Sequence, residues 1–144
     1  MRLSILTGAL LLASIGATFA DDDPIKARQD LMKANGNATK AVVPILKGQA
    51  PFDLATVQTA LKAYIDAADK APALFPAGSD TGKTKALPAI WQNKADFDAR
   101  FAKLGADSKA ALAAITDEAN FKANFAPVLK DCGGCHETYR AKDQ

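Results

Sequence analysis

From Pro24 onward, apolar positions return every three or four residues and β-branched runs are almost absent, which is the pattern of amphipathic helices. A first helix is signalled by Asp23 as N-cap and Pro24 at the first helical position. Ile25, Met32, Thr39 and Leu46 repeat along it at heptad spacing, flanked by Arg28, Leu31, Val42 and Val43. Asn35-Gly36 and Pro44 are costly in a helix interior and predict a break or kink. Gly48-Gln49-Ala50-Pro51 ends this segment, and Asp53 caps a second helix carrying Leu54, Val57, Leu61, Tyr64, Ile65 and Ala68. Residues 71–92 hold Pro72, Pro76, Gly78, Gly82 and Pro88, so they read as a long crossover with a short turn at Ala89-Ile90-Trp91. A third helix presents Phe97, Phe101, Leu104, Ser108, Ala111, Leu112 and Ile115 on one face, weakened at Gly105. A fourth starts near Thr116 or Asp117, has Glu118 in its first turn, and runs past His136 to Lys142. The pattern predicts an all-α fold: an antiparallel four-helix bundle with one long crossover loop, its pairing order open.

The first twenty residues obey different rules. Arg2 forms a short basic start, Leu3 to Ile15 is mostly apolar, and Thr18-Phe19-Ala20 places small residues before a cleavage point. Ser4, Thr7, Gly8, Ser14 and Gly16 interrupt the stretch, and three aspartates follow it, so a membrane span is the poorer reading. Residues 1–20 are therefore expected to be a cleaved export signal and residues 21–144 a single domain in the periplasm, with no membrane insertion after cleavage. Loss of Arg2 removes one charge from a formal net charge of only +2, which leaves no polybasic surface for nucleic acid.

The chemistry is concentrated near the C-terminus, in Cys132-Gly133-Gly134-Cys135-His136. On a helix, positions i, i+3 and i+4 share one face, so two thiols and one imidazole project together. This is the attachment pattern of c-type haem: Cys132 and Cys135 form thioethers with the porphyrin vinyl groups, and His136 is the proximal iron ligand. A zinc site would need a fourth ligand, and no other cysteine or histidine exists in the chain. A redox dithiol of the thioredoxin type follows a strand, which the Phe121, Phe125, Val128, Leu129 spacing does not resemble. With the fourth helix turning Cys132 and Cys135 inward, the haem is expected inside the bundle, bound from the C-terminal helix.

What faces the iron opposite His136 decides the function. A second histidine ligand within the chain is excluded, and after signal cleavage Met32 is the only methionine. A thioether is an established sixth ligand that raises the reduction potential, whereas a methionine on a helical stripe can equally be core packing; chemistry alone leaves both open.

Further segments join the terminal motif: Arg28-Gln29-x-x-Met32, Pro44-x-x-Lys47-Gly48-Gln49-Ala50-Pro51, Phe75-Pro76 with Pro88-x-Ile90-Trp91, and Cys132-x-x-Cys135-His136-x-x-Tyr139-Arg140. Together they make residues 21–144 resemble a class II c-type cytochrome, the cytochrome c′ family. The resemblance implies one covalent haem c per chain and places Met32 on the distal side of the iron. Members with leucine there are five-coordinate and bind nitric oxide or carbon monoxide; low-spin members use methionine to close the coordination sphere. It also favours Arg28 as a propionate partner and leaves Arg140, four residues after His136, as either a proximal-face group or a partner of the helix dipole. Trp91 is taken as core.

The leading expectation is a periplasmic electron carrier, not an enzyme, with His136 and Met32 on the iron and redox proteins as partners. The alternative is a five-coordinate cytochrome c′ that takes a diatomic gas. A peroxidase-like activity lacks a distal histidine for acid–base work. The family's frequent pairing through the first two helices leaves a homodimer open. Gly78 to Thr84 resembles a phosphate loop with one residue too few between its glycines and no preceding strand. Asn37-Ala38-Thr39 as a glycosylation sequon and Asp21-Asp22-Asp23 as a cation site are likewise set aside.

Overall fold

A computed structural model describes residues 23–142; the expected signal segment and its cleavage point after Ala20 lie outside them. Four long helices, α1 (Pro24–Leu46), α2 (Leu54–Lys70), α4 (Lys94–Ala114) and α5 (Glu118–Tyr139), form an all-α bundle. A 3₁₀ turn (Ala71–Leu74) and a short helix, α3 (Ala89–Gln92), lie in the crossover between α2 and α4.

The ends of the helices follow the sequence closely. The Asp23 side chain accepts from Ile25 N at 2.9 Å, and Asp53 accepts from Thr56 N at 2.6 Å. Asp117 caps α5 by accepting from Ala119 N and Asn120 N, while the Asn120 side chain returns to the Asp117 amide, a reciprocal capping box. The break expected at Asn35-Gly36 does not occur, and α1 stays helical through Pro44 to Leu46. A single glycine costs about 1 kcal/mol in a helix, less than packing over six turns returns. Pro44 sits in the last turn, where its carbonyl accepts from Gln49 N and Ala50 N as the chain leaves the helix.

Burial sorts the helical faces into two kinds. Val57, Leu61 and Tyr64 of α2, Phe97 and Phe101 of α4, and Phe121, Phe125 and Val128 of α5 are buried as their periodicity required. One ring cluster joins Phe52 to Phe121 (5.5 Å), Phe121 to Phe125 (5.3 Å) and Phe125 to Tyr64 (6.2 Å). On α4, Gly105 lets α2 approach closely, since an added Cβ would stand 3.1 Å from the Ala68 Cβ. On α1 the heptad residues Ile25, Met32, Thr39 and Leu46 are only half-buried, whereas Arg28, Val42 and Ile45 are buried. The heptad reading therefore missed the α1 core face: Met32 and Thr39 stand between the core and a cavity, Met32 against the edge of the core cluster and Thr39 hydrogen-bonded to the Tyr64 hydroxyl at 2.8 Å.

The crossover is fastened by Arg28, which is 3 % exposed. Its Nη1 donates to Leu74 O (3.3 Å) and Ser79 Oγ (3.0 Å), and its Nη2 to Ser79 O (2.7 Å) and Thr84 Oγ1 (2.9 Å). The guanidinium also lies 4.7 Å from the Phe75 ring centroid and 5.7 Å from that of Trp91, whose indole donates to Pro76 O. Gly78 (φ 82°) and Gly82 (φ 108°) supply the left-handed turns around Ser79 and Thr84. At the other end of the crossover, Ala86 pairs with Arg140 in an isolated antiparallel bridge, with Leu87 N donating to Tyr139 O and Ala141 N to Lys85 O. This pairing ends α5 at Tyr139 instead of the expected Lys142, because Arg140 becomes extended (φ −122°, ψ 131°) to meet the crossover.

Arg28→Lys keeps one charge and discards the planar fork that serves four acceptors. The substitution is expected to cost about 2–3 kcal/mol in urea unfolding, the scale of lost hydrogen bonds to a charged group. It should also speed proteolytic cleavage between residues 76 and 87; unchanged cleavage would mean that the crossover is held by other contacts.

Candidate haem site

The last turns of α5 carry Cys132, Cys135 and His136 on one helical face, as the spacing required. Both cysteines are free and half-buried, and Cys132 Sγ lies 3.7 Å from Val128 O. Burial pushes both thiols above the ordinary range; Asp131 adds to the effect at Cys132, and the Arg100 charge partly offsets it at Cys135. His136 is reachable from solvent, yet the surrounding protein mass, and after it the Arg140 guanidinium, hold its imidazole below the ordinary range. The neutral, ligating form is favoured at neutral pH.

Two cavities of about 610 Å³ each flank this face and share Met32, Phe101, Cys135, His136 and Arg140 in their walls. One is completed by Phe75, Ile90, Phe97 and Tyr139 with Arg28 and Lys83 to Lys85 at its border. The other is completed by Thr39, Tyr64, Leu104 and Cys132 with Lys33, Lys40 and Arg100 at its border. The combined space has apolar walls, thiols and an imidazole on one helix, a thioether on another, and cations at the edge. Those are the donor types and surfaces that fit a covalently held haem with its carboxylates. Two buried acceptors in the second wall, Asn35 Oδ1 and Asp131 Oδ2, have no partner among the described residues.

The residues expected from the sequence converge unevenly. Met32 and His136, from different helices, line both cavities. Arg28 borders the first cavity, but both of its terminal nitrogens are engaged by the crossover, a structural duty the sequence reading did not anticipate. Arg140 lines both cavities from just beyond the helix end, its amide donating to His136 O at 3.1 Å. Trp91 packs at 6.0 Å from Phe75 in the crossover and lines neither cavity.

Sequence reasoning missed the brace behind the cysteines. Arg100 of α4 donates through Nη1 to Gly134 O (2.8 Å), between the two cysteines, and through Nε to Asp96 Oδ2 (2.7 Å). Tyr139 donates to the same carboxylate oxygen at 2.5 Å, and the Arg100 guanidinium sits 5.3 Å from the Tyr139 ring centroid. The Asp96–Arg100 pair has the spacing of neighbours on one helical face and was visible as such; its reach to α5 was not. Lys103 joins Asp107 to Asp131 in the same region and is pushed up to about 12 by the two carboxylates.

A four-helix bundle whose last helix carries a Cys-x-x-Cys-His run has the architecture and the attachment pattern of a bundle-type c cytochrome. The family model described as Cytochrome C′ matches residues 23–140. Cytochrome c′ of Rhodopseudomonas palustris is 48 % identical over 143 residues, covering 99 % of this chain and 97 % of that protein. Cytochrome c-556 of Agrobacterium fabrum is 41 % identical over 145 residues, covering 99 % and 98 %. The solved structure of cytochrome c′ from Rhodopseudomonas palustris superposes with a TM-score of 0.83 at 50 % identity, covering 86 % of this chain and all of that one. The chain belongs to the cytochrome c′ family, whose cofactor is covalently attached haem c.

The Asp96 brace gives a pH-dependent prediction. The Tyr139 hydroxyl, and after it Arg100, hold the Asp96 carboxyl below its ordinary value of 3.8. A carboxyl depressed on folding contributes stability at neutral pH and loses it as pH falls through the folded pKa. Asp96→Asn should therefore lower the urea midpoint at pH 7 and flatten its decline below about pH 4. Parallel acid curves for the two proteins would rule out this contribution.

Proposed function

We propose that the protein is a periplasmic electron carrier in which Cys132 and Cys135 anchor haem c through thioethers, His136 is the proximal iron ligand and Met32 the distal one. The observation that carries this reading is that Met32, the only methionine after Met1, borders both cavities that His136 borders. Haem bound there supplies a one-electron Fe(III)/Fe(II) couple. The chain's residues do the rest. The α5 face would carry the attachment points, the neutral imidazole would offer its lone pair, and Phe75, Phe97 and Phe101 give the first cavity apolar walls. A thioether ligand from Met32 would favour the reduced state relative to a nitrogen ligand.

The role is that of a carrier rather than a catalyst, since the one histidine is committed to the metal and leaves no imidazole for proton transfer. No helix among the described residues is long and apolar enough to cross a membrane. The export signal assigned to residues 1–20 carries the periplasmic part of the proposal. A second reading has support in the 48 % identity to a protein named cytochrome c′: Met32 near the iron without binding it, and an open position for a diatomic gas.

Absorption and EPR spectra of the purified ferric protein separate the two. The carrier gives a low-spin spectrum with a weak sulfur-to-iron band that Met32→Ala abolishes. The same substitution should lower the reduction potential and open the reduced protein to carbon monoxide. A high-spin ferric spectrum at neutral pH in the unsubstituted protein sinks the Met32 assignment in favour of the gas-binding reading.

A further inference from the structure

The charges around the two cavities are distributed unlike those of the chain as a whole. The sequence holds 18 Lys and Arg against 16 Asp and Glu, close to balance. Four lysines and three arginines line the cavities, against one carboxylate, Asp131. That carboxylate is already bound by Lys103 at 2.7 Å. Of these seven cations Arg100 is paired with Asp96, Arg28 is engaged by the crossover, and Lys85 and Arg140 have interactions of their own, which leaves Lys33, Lys40 and Lys83.

The lysines fall into two populations. Lys26, Lys70, Lys94, Lys103 and Lys109 each form an ion pair with an aspartate. Lys33, Lys40 and Lys83 are exposed, line the cavities, and form no ion pair among the described residues. Lys33 and Lys40 lie seven residues apart on α1, about 10 Å along one helical edge. Gln29, one turn before Lys33, donates to Lys83 O at 2.7 Å, which fixes the third lysine at the same edge. Three ammonium groups without ion-pair partners thus line the two cavities whose walls His136 shares.

We infer that this edge is the docking surface for an acidic electron-transfer protein, with Lys33, Lys40 and Lys83 steering its carboxylates to the cavity mouth. The inference rests on the electron-carrying reading above. Like charges held within about one Debye length of each other act jointly on an approaching protein, which raises the association rate and orients the encounter. Such a surface repels a basic partner as strongly as it recruits an acidic one.

The test uses the reduced holoprotein, a triple reversal K33E/K40E/K83E, and a control K47E/K62E/K122E. The control lysines are also exposed and without ion pairs, and they lie outside both cavities. Stopped-flow oxidation is followed with hexacyanoferrate(III) and with tris(phenanthroline)cobalt(III), each taking one electron from the protein and becoming hexacyanoferrate(II) or the cobalt(II) complex. At low salt the cavity-edge reversal should slow the anionic reagent about tenfold or more and accelerate the cationic one, while the control moves either rate less than about twofold. The difference should collapse near 1 M salt, where the Debye length is about 3 Å. Equal effects of the two triple variants, or slowing of both reagents by the same factor, overturn the inference.

A second readout needs no electron transfer. Amide NMR shifts induced in the oxidised holoprotein by decaglutamate should centre on residues 29–40 and 83–85 and vanish in the cavity-edge variant. Shifts centred on α2, or spread evenly, overturn the docking surface. Correctly centred shifts combined with failure of the unsubstituted protein to exchange electrons would keep the surface and remove the carrier reading.

Discussion

The C-terminal helix must be held in a fixed place while the inner face of its last turns is left bordering two cavities. Packing alone cannot do this, because a helix seated by its apolar stripe would close the space that the stripe faces. The chain separates the two requirements along α5. Phe121, Phe125 and Val128 anchor the first half in the ring cluster with Phe52 and Tyr64. The second half is held from the side and the end by polar contacts: Arg100 on Gly134 O, Tyr139 on Asp96, and the bridge between Arg140 and Ala86. Directional bonds fix position without filling volume, which is how two cavities persist beside a close-packed core.

Arg28 serves the same end from the opposite side. A crossover rich in proline and glycine has little periodic structure with which to satisfy its carbonyls, and one buried guanidinium gathers several of its oxygens at once. The crossover then supplies Phe75, Ile90 and Ala86 as a wall of the first cavity. Loss of the clamp would thus be felt at the site as well as in the fold.

Much of this was legible in the sequence, for reasons that can be named. Asp23, Asp53 and Asp117 marked helix starts because a capping side chain bonds amides within three residues, a local event. Cys132, Cys135 and His136 were legible because attachment chemistry dictates spacing along one helix. What escaped was non-local. The brace from Arg100 to Gly134 joins residues far apart in the chain, and the Arg28 bonds span some fifty positions to Ser79 and Thr84; neither leaves a periodic trace. The α1 stripe misled in an instructive way. Met32 and Thr39 sit where a core residue would sit, and a sequence pattern does not separate a face wholly covered by packed side chains from one that also borders a cavity. The end of α5 was overestimated for a related reason, since the bridge with Ala86 competes for residues whose helical propensity is adequate.

The buried state of the two thiols has a consequence for the order of events during maturation. Disulfide formation begins with a thiolate, and burial holds both Cys132 and Cys135 in the protonated form at neutral pH. At either position the folded chain therefore offers less thiolate to an oxidant than an exposed cysteine would, although the two residues are one helical turn apart. Partial burial of this stretch of α5 thus acts as a brake on the first step of disulfide closure, and an unfolded chain has no such brake.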